Sequence, residues 1–383
     1  MKSSNYKADI IGAGIGGLTT AAFLQDKGLH FDIYEKAKKF ASIGSGIVLA
    51  NNAMQVYHKL GVKEEIESEG NIISSINIVR PDLSPISKMN LTYFEKKYAA
   101  KNIAIHRASL HKILVNKVNR DSIKLDHELE SLKQRKDGNT TLIFKNRKPV
   151  ISKLVLGSDG IRSIIRDNLF PNNRVRSAKQ ICWRGVVNFK LPAKYFHELN
   201  EAWGRGSRFG FVQIGSDKVY WYAVKSNDSN KDDLSMDNLI ACFEPYHPII
   251  NDIVSSTPEE GIYTDDICDL FPLKTWFKKN VCLIGDAAHA TTPNMGQGAC
   301  QAIEDAFTIS ECLSKYDIEQ AFLKYQKLRQ PKACQVVKTS WMIGRLAHLS
   351  NPFAISVRNT LLQAIPEIAN RKQLEAIFRL SKL

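Results

Sequence analysis

Ala8-Asp9-Ile10-Ile11-Gly12-Ala13-Gly14-Ile15-Gly16-Gly17-Leu18 is the stretch on which the reading of this chain turns. Four residues of buried-strand character run straight into G-x-G-x-x-G, and a helical pattern continues from Leu18 to Lys27 until Gly28 stops it. In such a turn the first glycine (Gly12) permits the sharp bend. The second (Gly14) lets backbone approach a pyrophosphate, and the third (Gly17) lets the helix close on the strand. The helix start then offers free N–H groups and a positive dipole end to phosphate. A second strand at Phe31–Tyr34 ends in Glu35, 18 residues after Gly17, where an acid can bind ribose hydroxyls. Strand, turn, helix, strand is a βαβ unit, so the chain is predicted to be α/β with a doubly wound, Rossmann-like sheet.

Two distant segments extend that sheet. Lys153–Gly157 and Asn280–Gly285 are short apolar runs, each closed by glycine, with an aspartate and a helix following. Between them the texture changes. Aromatic and β-branched residues alternate through Phe209-Gly210-Phe211-Val212-Gln213 and Lys218-Val219-Tyr220-Trp221-Tyr222, with a turn at Gly215-Ser216-Asp217. This predicts a hairpin in a mainly antiparallel sheet, inserted as a second domain. Residues 226–234 are polar and turn-rich, which predicts a solvated loop. Residues 335–383 are predicted to be mostly helical, with Leu361, Leu362, Ile365 and Ile368 at helical spacing. A packed terminal helix is one reading of them, and a face for lipid or hydrophobic substrate is the other.

The most specific segment is Val281-Cys282-Leu283-Ile284-Gly285-Asp286, followed by Pro293-Asn294-Met295-Gly296-Gln297-Gly298. It puts Asp286 at the carboxyl end of a strand, where ligands bind in open α/β sheets, and a Gly-Gln-Gly turn at the start of a long helix. Amides exposed at that helix start can stabilise developing negative charge.

These motifs resemble the FAD-dependent class A monooxygenases, the p-hydroxybenzoate hydroxylase-like family. The matching segments are Gly12–Gly17, Gly157-Ser158-Asp159-Gly160 through Arg166, and Gly285–Gly298, with the wording of the last closest to the zeaxanthin epoxidase, urate hydroxylase and salicylate hydroxylase branch. The resemblance implies that FAD is held by Gly12, Gly14, Gly17, Glu35 and Lys36 at the adenosine and pyrophosphate end. Asp159 would lie near the pyrophosphate and Arg107, in His106-Arg107-Ala108-Ser109-Leu110, would touch cofactor phosphate. Gly46, in the Gly44-Ser45-Gly46 loop, would pass the dimethylbenzene side. Gly285, Asp286, Pro293, Gly296, Gln297 and Gly298 would hold the ribityl chain and the pyrimidine edge. Arg208 and Tyr220 fall where urate-hydroxylase-like proteins carry substrate contacts, although Asn294 stands where those have an acid, which counts against urate. For the same two residues a surface arginine on the hairpin and a core tyrosine is the alternative. Trp183 and Arg184 either face the pocket or pack. His289 either tunes the flavin or is a packed, hydrogen-bonded histidine.

The resemblance further implies bound FAD, NADH or NADPH as a transient co-substrate, and O2. The reaction would be hydroxylation or epoxidation of a small aromatic, polycyclic or isoprenoid molecule through a flavin hydroperoxide. No second G-x-G-x-x-G follows residue 35, which fits a nicotinamide donor that docks without a domain of its own. A flavin oxidase or reductase of the same fold, and a binding protein that has kept the fold, are the competing readings. The expected division is a discontinuous FAD-binding domain (1–75, 100–172 and 275–335), a substrate-binding sheet domain (76–99 and 173–274) and a helical segment (336–383).

Composition narrows the classes. With 383 residues, 44% apolar and 24% charged, the chain has ample material for a core. The net charge of +14 raises a nucleic-acid or anionic-membrane partner, but the lysines and arginines are spread along the chain without a nucleic-acid motif, so no nucleic-acid partner is expected. Seven cysteines form an odd set without C-x-x-C, and no secretory leader is seen before the first strand. Both point to reduced thiols and a cytoplasmic protein, a monomer or homodimer acting on a small molecule. His106 and His111 are five apart, off the i, i+4 spacing of a paired metal site, so no metal is expected. No run is long enough to span a bilayer, and G-x-S-x-G is absent.

Overall fold

The computed structural model describes residues 7–40, 45–227 and 235–382. Its first layer is a sheet whose strands lie in the order Phe277–Lys278, Val281–Leu283, Leu154–Gly157, Ala8–Ile11, Phe31–Tyr34 and Ile123–Lys124. All neighbours are parallel except the outermost Phe277–Lys278 pair. Ala8 registers with Leu154 on one side and with Phe31 on the other, so three segments far apart in sequence end at one edge. These central strands are buried on both faces, which is why they read as unbroken apolar runs.

Two helices close one face. Ile15–Asp26 starts one residue after Gly14, and Gly298–Lys315 lies beside it. Phe23 and Phe307 meet at 5.4 Å between ring centroids. The turn before the first helix is set by close approach. Gly12 sits at φ +101°, and a Cβ there would lie 2.4 Å from the Ser158 carbonyl oxygen. One on Gly17 would lie 2.0 Å from the Gly12 oxygen.

The second layer is a sheet in the order Ile262–Leu270, Val175–Asn188, Lys218–Ser226, Ser207–Ile214, Glu198–Trp203, Ser75–Val79 and Pro85–Asn90. It is antiparallel except between Glu198–Trp203 and Ser75–Val79. One face carries Trp183, Phe209, Phe211 and Trp221 into a core with the helices Met236–Phe243 and Pro248–Ser255. Phe209 and Trp221 stack at 5.5 Å. Burying each such side chain contributes roughly 1.5–3 kcal/mol, so this face is satisfied without the rest of the molecule. The opposite face turns toward the first layer.

A small sheet, Gly46–Leu49 with Asn102–His106 and Asn71–Ile73, joins the two layers. A three-stranded meander (Leu129–Gln134, Thr140–Phe144, Val150–Ser152) precedes the third strand of the first sheet. The C-terminal part is helical, as expected, but as three helices: Ile318–Ala347, Pro352–Ala364 and Glu367–Phe378. Gly44 and residues 228–234 of the expected 226–234 loop lie outside the described residues.

Candidate active site

The two layers face each other across a cleft whose first wall is made of motif backbone. Gly14, Asp286, Pro293, Gly296 and Arg107 are all exposed, although most of their neighbours in the motifs are buried. A Cβ built on Gly14 would meet nothing within 4 Å, so the space above the glycine turn is open. Neither the Ile15–Asp26 nor the Gly298–Lys315 helix has a side-chain cap or an acid in its first turn. Such starts leave N–H groups and the positive dipole end for an anion. Asp286 lies against the second start, its Oδ1 3.9 Å from a Cβ built on Gly298. Crowding by protein raises its carboxyl above the ordinary value, opposed by His289 and Arg107. Its own surface is wet, so water screens that push.

Other residues expected at the cofactor are placed as follows. Glu35 accepts from the amides of Ala13 (2.8 Å) and Ala37 (2.9 Å), which ties the end of the second strand to the glycine turn, while Lys36 is exposed. Asp159 accepts from Ser163 Oγ (2.6 Å) and the Ile165 amide (3.2 Å), so its carboxylate organises the 157–166 turn. Gly285 is at φ +59°, and its amide donates to Asp305. Gln297 is buried and accepts from Asn52 and Gln301, both at 3.0 Å.

Beneath this wall lies a buried charge network. His289 pairs with Asp305, and Arg329 donates to Asp305 (2.8 Å), to Glu304 (2.6 Å) and to Gln301 (2.6 Å). Burial alone would raise the Asp305 carboxyl, but His289 and Arg329 outweigh it and hold it down to about 2. His289 is therefore the packed, hydrogen-bonded histidine of the two readings, fixed below the groove.

The second wall is made of side chains from the large sheet. Strand register sets Arg184 opposite Tyr222, Tyr222 opposite Gly210, and Arg208 opposite Trp203. Arg208, one of the two substrate candidates, is 1% exposed, which corrects its reading as a surface arginine. It pairs with Glu201 (3.1 Å) and donates to the Asn294 side-chain carbonyl. Glu201 also accepts from Trp203 Nε1 (2.6 Å) and the Tyr222 hydroxyl. Asn294 is held in turn by donation to Thr292 Oγ1 (2.8 Å) and the Ser340 carbonyl (2.7 Å). A neutral amide thus stands where an acid was expected for urate, and the charge partner of Arg208 is Glu201. Trp183 packs into the outer core, while Arg184 is on the cleft side and pairs with Asp265 (3.2 Å).

Tyr220, the other candidate, packs its ring over Gly46, where an added Cβ would lie 2.4 Å away. Burial pushes the Tyr220 and Tyr222 hydroxyls well above their ordinary values, so both are neutral donors. Arg107 acts electrostatically on both Tyr220 and Asp286, which places it where the two walls meet. His348 closes the far end, with Nδ1 3.0 Å from Ser226 Oγ. Burial, reinforced by Arg208, pushes its imidazole down to about 3.

Glu201, Tyr222 and His348 were missed in the sequence. Tyr222 had a signal, since it is two residues from Tyr220 and alternation puts both on one face. Glu201 and His348 had none, because their roles depend on partners across strands and helices.

The family model for the FAD binding domain matches residues 5–340. The chain is 34% identical over 357 residues to aurachin C monooxygenase/isomerase of Stigmatella aurantiaca, covering 92% of this chain and 93% of that one. It is 28% identical over 374 residues to 2-heptyl-3-hydroxy-4(1H)-quinolone synthase of Pseudomonas aeruginosa, covering 96% and 97%. In fold it is similar to Klebsiella pneumoniae HpxO complexed with FAD and uric acid, with TM-score 0.89, 21% identity, and 98% and 97% coverage. A glycine turn, an open Asp286 and two uncapped helix starts, matched by a family model over most of its length, make this chain a member of the FAD-binding-domain family of class A flavin monooxygenases.

Proposed function

We propose that this chain uses FAD, NADH or NADPH, and O2 to hydroxylate an electron-rich bicyclic heteroaromatic ring of the 4-quinolone type that carries an apolar chain. The observation that carries the reading is the second wall. Arg208, Glu201 and Tyr222 form one bonded set in which the buried Arg208 and Glu201 back the half-buried Tyr222 hydroxyl, the member of the set nearest open space. A ring with one carbonyl and one N–H needs such a pairing, and the Pseudomonas aeruginosa relative carries a quinolone in its name.

The residues present fit FAD. The space over Gly14 admits a pyrophosphate, Arg107 and the helix starts supply positive charge, and Asp286 is open for a polyol chain. Glu35, Lys36, Asp159, Gly46 and the Pro293–Gly298 turn complete the proposed set. When bound, FAD supplies the electron transfer from the nicotinamide and the activation of oxygen. The protein's part is to hold the ring by Tyr222, which Glu201 and Arg208 position from behind, to keep water out with the Tyr220 ring, and to support negative charge from the amides at Gly298. The cofactor cleft belongs to the discontinuous domain (1–75, 100–172 and 275–335), and the ring-binding wall to the inserted sheet. Among the described residues no two cysteines form a disulfide, which supports a reducing, cytoplasmic setting.

Two measurements test this. Adding 2-heptyl-4(1H)-quinolone should accelerate NAD(P)H consumption and give a product heavier by one oxygen atom. If all reducing equivalents instead appear as peroxide with every quinolone tried, the substrate class is wrong and an oxidase is favoured. Asp286→Ala should weaken FAD retention at unchanged fold, and full flavin content after gel filtration would remove Asp286 from the site.

A further inference from the structure

We infer that the outward face of the Pro352–Ala364 helix, continued by the start of Glu367–Phe378, docks the protein flat on an anionic lipid bilayer. Among the described residues no helix is long and apolar enough to cross a membrane, so the surface in question is peripheral.

The face is apolar and open. Phe353 is 78% exposed, Leu361 63% and Ile368 65%, and Val357 and Ile365 are exposed beside them. Phe353, Val357, Leu361 and Ile365 follow one another at i, i+4, i+8 and i+12, a continuous stripe along about 18 Å of helix. Met342 and Leu346 are exposed on the last turns of the preceding helix.

Charge is missing where a water-facing helix normally carries it. Between Leu346 and Glu367 the only Lys, Arg, Asp or Glu is Arg358. That residue is buried, donating to the carbonyls of Leu346 (3.1 Å) and Ala347 (3.2 Å), with its guanidinium 5.2 Å from the Trp203 ring centre. The exposed side of the helix therefore presents no formal charge, unlike an ordinary soluble surface.

The flanks decide which occupant the face suits. From Lys338 to Lys382 there are seven lysines and arginines against two acids. Both acids are already engaged, Glu367 by Arg371 and Glu375 by Lys97. Along the chain Lys338 and Arg345 precede the stripe and Lys372 follows it, all exposed. An apolar strip between basic flanks is the pattern that sinks into an anionic bilayer surface. In a two-fold dimer the same patch would meet its copy, bringing like-charged flanks together. The opposite side of this helix packs on the Pro85–Asn90 edge strand and, through Arg358, on Trp203, which donates to Glu201 of the second wall. Docking would thus bring the substrate wall close to the lipid.

The test is flotation of the FAD-loaded protein with vesicles of phosphatidylcholine alone and of an equal mixture with phosphatidylglycerol. Partition should favour the anionic vesicles and fall as salt is raised. Phe353→Asp with Leu361→Asp should lower partition at least ~tenfold at unchanged flavin content and melting temperature. Lys338→Glu with Arg345→Glu should weaken it and flatten the salt dependence. Absence of binding to either vesicle, equal binding by the double aspartate variant, or a wild-type dimer in sedimentation that this variant converts to monomer would each overturn the inference.

Discussion

The two walls of the cleft are made of different material. On the proposed cofactor side the exposed residues are Gly14, Gly296, Pro293, Asp286, Arg107 and Lys36, and side chains such as Glu35 and Asp159 brace the backbone. On the proposed substrate side the backbone is locked in a sheet, and a buried guanidinium and carboxylate hold one phenol, Tyr222, with the Tyr220 ring beside it. The first wall should fail when atoms are added and the second when they are removed. A cofactor common to many relatives suits a surface of fixed backbone groups, whereas substrate choice requires parts that can change singly.

The largest expected effect is on the first wall. Gly12→Ala forces a Cβ into the Ser158 carbonyl at a left-handed φ, combining backbone strain with overpacking for about 4 kcal/mol. Thermal unfolding with and without added FAD should show a low melting point and little bound flavin. Near-normal values would mean that the turn yields and that the first wall tolerates added atoms. The next effect is on the second wall. Arg208→Met leaves the Glu201 carboxylate largely buried without its cation, at about 3 kcal/mol. Flavin content should nevertheless remain normal in the surviving fold, while turnover of the quinolone falls. Loss of flavin in this variant would erase the distinction between the walls.

The same contrast explains what could be read in the sequence. Gly12–Gly17, Gly157–Arg166 and Gly285–Gly298 are each a strand, a turn and a helix within about fifteen residues, so their geometry is local and their spacing carries it. The second wall spreads from Glu201 through Arg208 and Tyr222 to Asn294 and His348, and which side chains meet depends on register. One residue of slip would have turned Arg208 outward and Phe209 inward. The alternation in 209–213 and 218–222 announced the strands but not their facing. The buried network under the first wall was equally hidden, because Arg329 lies 24 residues beyond Asp305 in a different helix.

His348 offers a test of smaller size. Its folded imidazole titrates near 3, far below the ordinary value of about 6.5, so the folded state favours the neutral ring. The stability this contributes is complete above about pH 6.5 and is lost as pH falls toward 3, because the unfolded chain takes up the proton first. Between pH 7 and pH 5 the loss should be about 2 kcal/mol. Denaturant melts of the wild type and His348→Gln across that window should diverge, with the variant flatter. Parallel curves would mean that Ser226 and the Gly206 carbonyl, 3.2 Å from His348 Nδ1, accommodate the protonated ring.

The smallest effect sharpens the comparison most, because it removes one atom. Tyr222→Phe keeps the ring over Gly210 and deletes only the hydroxyl that donates to Glu201 Oε2. The position is half-buried, so water can take over part of the bond, and the stability change should be about 1 kcal/mol or less. Arg208 and Trp203 still hold the carboxylate at 3.1 and 2.6 Å, so the wall stays in place. If the hydroxyl binds the ring, KM should rise several-fold. Flavin content and the slow NAD(P)H oxidation without substrate should stay as in the wild type, since both belong to the first wall. A change confined to kcat would instead assign Tyr222 to proton movement during the reaction. A change in flavin content would place it among the groups that shape the cofactor cleft.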